Sequence, residues 1–373
     1  MITDKKVGLY VHIPFCVSKC NYCDFCSFPE KNFASKDEYI QAIVSEIRSY
    51  DGKNITVDTI FFGGGTPSVL TPSEFSEIVD AIFTTFSVSP DVEFTIEANP
   101  KTLTREKLLS YKALGVNRIS IGMQSTHNNE LKKLGRIHNY DDFLETVQLV
   151  RDVGIDNINA DVMYGIPEQT KESFNKTLDR VVALKLPHIS VYGLILEEGT
   201  PFFDKKDSLA LPSDDEECDM YYLTSEILGK NGYNHYEISN YCLKGYECRH
   251  NIKYWRCDDY IGVGLSAYSL YNGRRFGNTR DYKGYVDQKD ALQYDELLNT
   301  ADEAYEYVML GLRLKEGISL SDYKKRFGVD FLEGRKDALL EMSNLGLVNL
   351  SGDRLSLTER GFYVSNSILI KLL

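Results

Sequence analysis

The sequence predicts an α/β protein: a curved, open parallel sheet forming a partial (βα)6 barrel of the TIM type, followed by a C-terminal winged-helix-like α+β region. Three observations carry this. Short apolar runs and amphipathic stretches alternate six times between residues 9 and 194. The apolar runs lack the in–out alternation of a half-exposed strand, as parallel strands covered on both faces do. Past Thr300 the pattern changes to helices followed by a hairpin.

The strands fall at 9–13, 57–62, 93–97, 118–122, 157–163 and 188–194. Helices at 37–50, 73–85, 105–114, 141–153 and 171–184 lie between them, the first with Tyr39, Ile40, Ile43 and Ile47 on one face. Six units fall short of the eight that close a barrel, so the sheet stays open. A helix at 213–229 opens on Asp214, Asp215, Glu216 and Glu217, acids that suit a helix N-terminus. Residues 233–239 read as an edge strand, and 242–290, rich in Tyr, Gly and Asn, as an irregular joining region. Helices at 301–314, 320–327 and 331–345 and a hairpin at 348–357, centred on Gly352 and Asp353, complete the chain. The expected division is a barrel over 1–240, a joining region over 241–298 and a C-terminal domain over 299–373.

A chain of 373 residues accommodates one large domain and a small one. Its 43% hydrophobic and 26% charged residues are ordinary for a soluble protein. A net charge of −13 argues against general nucleic-acid binding, since few phosphates would be neutralised. The winged-helix-like region carries ten Lys/Arg against eleven Asp/Glu, so it lacks a basic recognition face and suits packing or docking. Eight cysteines in so long a chain, four of them clustered, suit ligand chemistry in a reducing compartment rather than a disulfide framework. With no apolar leader and no run of about 18 apolar residues, a cytoplasmic protein is expected, making at most transient contact with a membrane.

The most informative stretch is VGLYVHIPFCVSKCNYCDFCSF, residues 7–28, where a strand runs into a loop holding Cys16, Cys20, Cys23 and Cys26. Thiolates this close can converge on one soft centre, a zinc ion or an iron–sulfur cluster. Structural zinc sites pair two knuckles across a longer gap, whereas these four fall within eleven residues, which favours a cluster. Further polar residues stand where strands end, the place where parallel α/β folds gather ligand groups. Gly64, Gly65 and Thr66 follow the second strand, in GGGTP; Glu97 ends the third, in IEANP; Gln124 ends the fourth, in SIGMQS. Arg136 follows in LGRIH, and Asp161 lies in the fifth strand, in NADVMYGIP. Taken singly, each also suits a hydrogen bond at the barrel mouth without any ligand.

The spacing C-x3-C-x2-C, with Tyr22 before its last cysteine, resembles the signature of radical S-adenosylmethionine enzymes. The resemblance implies a [4Fe–4S] cluster on Cys16, Cys20 and Cys23 whose fourth iron chelates S-adenosylmethionine. It implies that Tyr10, Tyr22, Gly64, Gly65, Thr66, Glu97, Gln124, Arg136 and Asp161 hold the nucleotide. In this order the residues resemble the branch of oxygen-independent coproporphyrinogen oxidases and their relatives, over nearly the whole chain. A fourth thiolate would close the open iron, so Cys26 is not assigned to the cluster. HemN-type oxidases carry a fourth cysteine where Phe25 stands here, and a long N-terminal extension where only nine residues precede Tyr10.

Residues 250–255 spell H-N-x-x-Y-W, with His250, Tyr254 and the chain's one tryptophan, Trp255. On chemistry alone this is a histidine packed among aromatics. It also resembles the motif that marks the haem chaperones of the branch, which makes His250 a candidate haem contact. The resemblance then implies haem as cargo, haem proteins such as respiratory enzymes as recipients, and a monomer or homodimer. Its alternative is radical oxidative decarboxylation of coproporphyrinogen III to protoporphyrinogen IX. Cys248 and Cys257 bracket the motif and, like Cys218, suit buried structural thiols.

Overall fold

A computed structural model describes residues 6–33, 36–288 and 291–373. Six strands lie side by side and parallel in chain order: β1 (Lys6–Ile13), β2 (Thr56–Gly64), β3 (Ser87–Ala98), β4 (Arg118–Gln124), β5 (Asn157–Tyr164) and β6 (His188–Gly193). The covering layer is α1 (Asp37–Arg48), α2 (Pro72–Thr85), α3 (Arg105–Ala113), the short α4 (Asn128–Lys133), α5 (Tyr140–Asp152) and α6 (Lys171–Ala183). Local chemistry fixes where these helices start. Thr71 and Glu74, Asn139 and Asp142, and Thr170 and Ser173 form reciprocal capping boxes at α2, α5 and α6. The interface between sheet and helices is apolar: Phe62, Phe75, Phe94 and Tyr111 are wholly buried between β2–β3 and α2–α3. This is the α/β partial barrel that the alternating runs predict.

After the short α7 (Pro201–Asp204), α8 (Asp214–Lys230) starts on a Ser213–Glu216 capping box with four acids in its first turn. β7 (Asn234–Glu237) and β8 (Asn240–Cys242) extend the sheet antiparallel beyond β6, in the order β6-β8-β7. The stretch read as irregular is ordered. It holds α9 (Arg249–Trp255), then β9 (Tyr260–Val263), β10 (Tyr268–Tyr271) and β11 (Arg274–Asn278), then α10 (Tyr282–Val286). β9 pairs parallel to β1 on its free side, and β10, β11 and β12 (Leu292–Leu297) follow as an antiparallel ribbon. Among the described residues the sheet thus has twelve strands, seven consecutive ones of which pair parallel. These added strands are only four to six residues long and gain their order by pairing with a sheet already formed, so composition alone does not show them.

α11 (Thr300–Gly311), α12 (Leu320–Phe327) and α13 (Lys336–Asn344) pack with a small sheet of β13 (Ile318–Ser319), β14 (Val348–Ser351) and β15 (Arg354–Leu357), ordered β13-β15-β14. The chain ends in α14 (Glu359–Tyr363) and α15 (Ser365–Leu372). This unit's core includes Tyr221 of α8, so it is built onto the barrel. α13 starts at Lys336, not at 331, and Asp330 accepts from the Leu332 amide in the turn before it. Among the described residues, no helix is long and apolar enough to cross a membrane.

Candidate functional site

β1 delivers the chain to the mouth of the barrel, where Phe15 is wholly buried and the cysteine loop begins. The glycine run after β2 holds that loop by its backbone: the Gly65 amide donates to the Ile13 carbonyl at 2.7 Å and the Thr66 amide to the Phe15 carbonyl at 2.8 Å. A Cβ on Gly65 would sit 2.7 Å from the Phe15 oxygen, so only glycine fits there. Gly64, at φ +105°, is glycine for a second reason, since a Cβ would lie 2.4 Å from the His12 ring. The far side of the loop is tied to Leu134, whose carbonyl accepts from the Asn21 amide at 3.0 Å.

Cys16, Cys20 and Cys23 line one cavity of about 480 Å³ over the C-terminal ends of the strands. Tyr22, Gly64, Gly65, Thr66, Glu97, Gln124, Arg136 and Asp161 line it too. The sulfurs have protein partners: Thr66 Oγ1 donates to Cys16 at 3.6 Å, an Arg136 Nη donates to Cys20 at 3.5 Å, and Ser27 Oγ lies 3.8 Å from Cys23. Burial pushes the Cys16 and Cys23 thiols up, with hydrogen bonds acting the other way. A cationic centre would supply the charge that draws them into thiolates. Among the described residues, no three His, Cys, Asp or Glu side chains converge as one metal ion would require. The donor set, three thiols around a roomy cavity with hydroxyl and guanidinium groups against their sulfurs, fits a multi-iron cluster.

The strand ends opposite are polar. Glu97 accepts from the Gly64 amide at 3.2 Å. Burial, and then the neighbouring Asp161, push its carboxyl up to about 8. Asp161 is itself raised by burial and accepts from Asn159 at 2.7 Å. Gln124 takes a left-handed φ of 69° at the end of β4, and its side-chain oxygen accepts from the Tyr192 hydroxyl at 2.7 Å. Arg136 Nε and Asn240 Oδ1, both on residues lining the cavity, are buried without a hydrogen-bond partner among the described residues. Orphaned polar atoms of this kind call for a ligand or water.

Two residues that the sequence singles out lie elsewhere. Tyr10 does not line this cavity; its hydroxyl meets His12 Nδ1 at 3.1 Å and it lines a neighbouring hollow. His250 is 1% exposed on α9, with Nδ1 at 2.8 Å from Thr59 Oγ1 and Nε2 at 2.8 Å from the Tyr254 hydroxyl. Burial lowers its pKa to about 3, and its ring stacks on Phe61. Both ring nitrogens are therefore engaged inside the fold. Cys26 also lies apart from the trio, its sulfur 4.0 Å from the Arg280 carbonyl. Asn99 goes unselected in the sequence reading, yet it donates to Thr66 at 2.9 Å and accepts from Arg136, tying both sulfur donors together. It stands two residues past Glu97, where strand alternation points a side chain to the same face.

The family model for the radical SAM superfamily matches residues 10–181, and that for the HemN C-terminal domain matches residues 298–364. Over 99% of its length the chain is 35% identical to a protein named heme chaperone HemW from Lactococcus lactis, covering 98% of that protein. It is 34% identical to the HemW of Bacillus subtilis, across 96% of this chain and 97% of the relative. It is 34% identical to the HemW of Escherichia coli, across 99% and 98%. Among solved structures, the coproporphyrinogen III oxidase HemN of Escherichia coli superposes with a TM-score of 0.84 at 24% identity, covering 99% of this chain and 90% of that one.

Proposed function

Since the chain belongs to the HemW family of the radical SAM superfamily, we propose that it is a haem chaperone, binding haem and delivering it to haem proteins such as respiratory enzymes. The carrying observation is a third or more of residues shared with HemW proteins over nearly the whole chain. The likeness to HemN, at 24% identity, speaks for the fold alone, so the oxidase alternative lacks equal support.

In this reading Cys16, Cys20 and Cys23 hold a [4Fe–4S] cluster. Such a cluster supplies an open iron that chelates the amino and carboxylate groups of S-adenosylmethionine, and a source of electrons. The chain's own residues do the rest. Thr66 and Arg136 donate to two sulfurs, Gly64 and Gly65 let backbone approach the ligand closely, and Glu97 accepts from ribose hydroxyls once ionised. Asn99 fixes both donors, and Asp161 with Gln124 completes the polar wall. His250 enters as the residue that sets the haem-handling segment: an iron bond to it would displace Thr59 or Tyr254. Work in the cytoplasm, where thiols stay reduced, suits this thiol set.

The test is anaerobic reconstitution followed by haem titration and a coproporphyrinogen turnover assay on the same samples. Uptake of about four irons per chain, haem binding and no turnover is the expected result. Formation of protoporphyrinogen would replace the chaperone reading with the oxidase.

A further inference from the structure

The cysteine cavity lies over the C-terminal ends of the strands. At their other ends lies a cavity of about 680 Å³, lined by Asn117 and Asn157, by Tyr236 of β7, and by Arg249, Ile252 and Arg256 of α9. Two connections run from α9 through the barrel between these ends. The first is a rigid strand. Glu93 on β3 accepts from the Arg249 and His250 amides at 3.0 Å each, and Glu97, four residues along, points to the same face. The second is an unbroken chain of hydrogen bonds. The Cys248 amide, just before α9, donates to the Tyr236 hydroxyl oxygen at 3.0 Å, and Tyr236 meets His188 Nε2 at 2.9 Å. His188 Nδ1 meets Asn159 Oδ1 at 2.6 Å, and Asn159 Nδ2 donates to Asp161 and to Ser120, at 2.7 Å each. Asp161 and Ser120 line the cysteine cavity; Tyr236, His188, Asn159 and every residue of α9 do not.

The partners fix the direction of every bond in this chain. The Asn159 amide nitrogen faces Asp161, so its oxygen faces His188 and the imidazole proton sits on Nδ1. Asn159 Oδ1 also accepts from Ser190 at 3.2 Å, which fills the remaining position on that side chain. Burial, and then the Arg118 guanidinium, push the His188 pKa well below the usual histidine range, so the ring is neutral. Nε2 is therefore bare and accepts from the Tyr236 hydroxyl, whose oxygen takes the Cys248 amide. A buried network satisfied at every member holds one arrangement. The Asn159 amide passes no proton on, so the chain carries position rather than charge. On the reading of the cysteine cavity as the S-adenosylmethionine site, we infer that His188 and Asn159 are positioning residues for Asp161 that couple the seat of α9 to nucleotide binding. A ligand group donating to Asp161 fixes that carboxylate and, through Asn159, every member behind it as far as the foot of α9. By linkage, whatever disturbs that foot weakens the nucleotide by the same free energy. The helix that carries H-N-x-x-Y-W thereby acts on a cavity it does not touch.

The test uses the full chain with its cluster reconstituted and oxidised. Binding of S-adenosylmethionine is read by equilibrium dialysis and by the emission of Trp255, the chain's one tryptophan, at the end of α9. Wild-type emission should shift on binding. Tyr236→Phe deletes one hydroxyl outside the cavity. It should keep its iron, bind the nucleotide about fivefold more weakly or worse, and show no emission shift at saturation. Ser213→Ala, which weakens the α8 cap away from this chain of bonds, should change neither reading. Before reconstitution, nitrogen-15 histidine NMR should show His188, assigned by its absence in His188→Gln, as the Nδ1–H tautomer. Wild-type affinity in Tyr236→Phe, equal weakening in Ser213→Ala, silent emission in the wild type or an Nε2–H tautomer each overturns the coupling and leaves the nucleotide site standing. Loss of iron in Tyr236→Phe overturns it by making these bonds a support for the whole barrel. A wild type that takes up iron but no S-adenosylmethionine sinks the reading of the cavity itself.

Discussion

Burial and the neighbouring Asp161 push the Glu97 carboxyl up to about 8, so its charge depends on the fold around it. The folded pKa lies above the unfolded one, so the native state binds its proton more tightly and stability falls as pH rises from the ordinary carboxylate range towards pH 8. Glu97→Gln removes that penalty. Its melting temperature relative to wild type should climb across the same window, and parallel pH profiles would refute the assignment. At Arg136 the chemistry is that of the sulfurs. Its donor lies 3.5 Å from Cys20, and donors to cluster sulfurs raise the reduction potential. Arg136→Leu should therefore lower the potential of the reconstituted cluster, measured by EPR redox titration; an unchanged value would remove the arginine from the cluster's environment. The thiols and strand-end residues are legible in the sequence because chain spacing converts directly into position at a strand's C-terminal end. Asn99 and Tyr192 are less so, since they matter through contacts to other strands. The direction His250 faces was not legible, because it is set by how α9 packs on β2.

Among elements, the junction of β1 and β2 bears the most on the site. Gly65 lets the turn after β2 lie against the Ile13 and Phe15 carbonyls, leaving no room for a methyl group. In Gly65→Ala one backbone must move, at a cost of about 1–3 kcal/mol. Thermal unfolding should show the loss, and iron bound per chain after reconstitution should fall with it; full iron loading would mean that the loop seats independently of this turn. At α8 the change is local. Ser213→Ala removes one half of the capping box and should cost about 1 kcal/mol in urea unfolding, with iron loading unchanged. The barrel elements were readable because each joins a strand's worth of apolar residues to a helix, and α2, α3, α5 and α6 start on side-chain caps of their own. The ribbon beyond β9 was not, although it held one signal: Asn272 and Gly273, at φ 53° and 73°, form the left-handed pair of a tight hairpin between β10 and β11.

At the scale of the whole molecule, one carboxylate gathers several of the contacts between the C-terminal unit and the barrel. Glu359 of α14 meets His235 of β7 at 3.2 Å, Lys315 at 2.9 Å and the Ser225 hydroxyl of α8. The sheet edge continues the joint, for Glu237 bridges Leu314 and the Lys315 amide donates to the Tyr236 carbonyl at 3.0 Å. Burial alone would raise the Glu359 carboxyl, but the hydrogen bond and charge of His235, with Ser225 and Lys315, hold it well below the usual carboxylate range. A depressed folded pKa gives stability that is present above the ordinary carboxylate range and lost as pH falls below it. Glu359→Gln should therefore destabilise the chain by roughly 1–2 kcal/mol near neutrality, after allowance for its partial exposure. That deficit should shrink as pH falls below about 4, where the carboxylate of the unfolded chain takes up a proton that the folded one still resists. Limited proteolysis at neutral pH should cut the variant first between barrel and C-terminal unit. If the cut sites and the stability match wild type, the two parts are held by the shared core around Tyr221, and the carboxylate is incidental to their union.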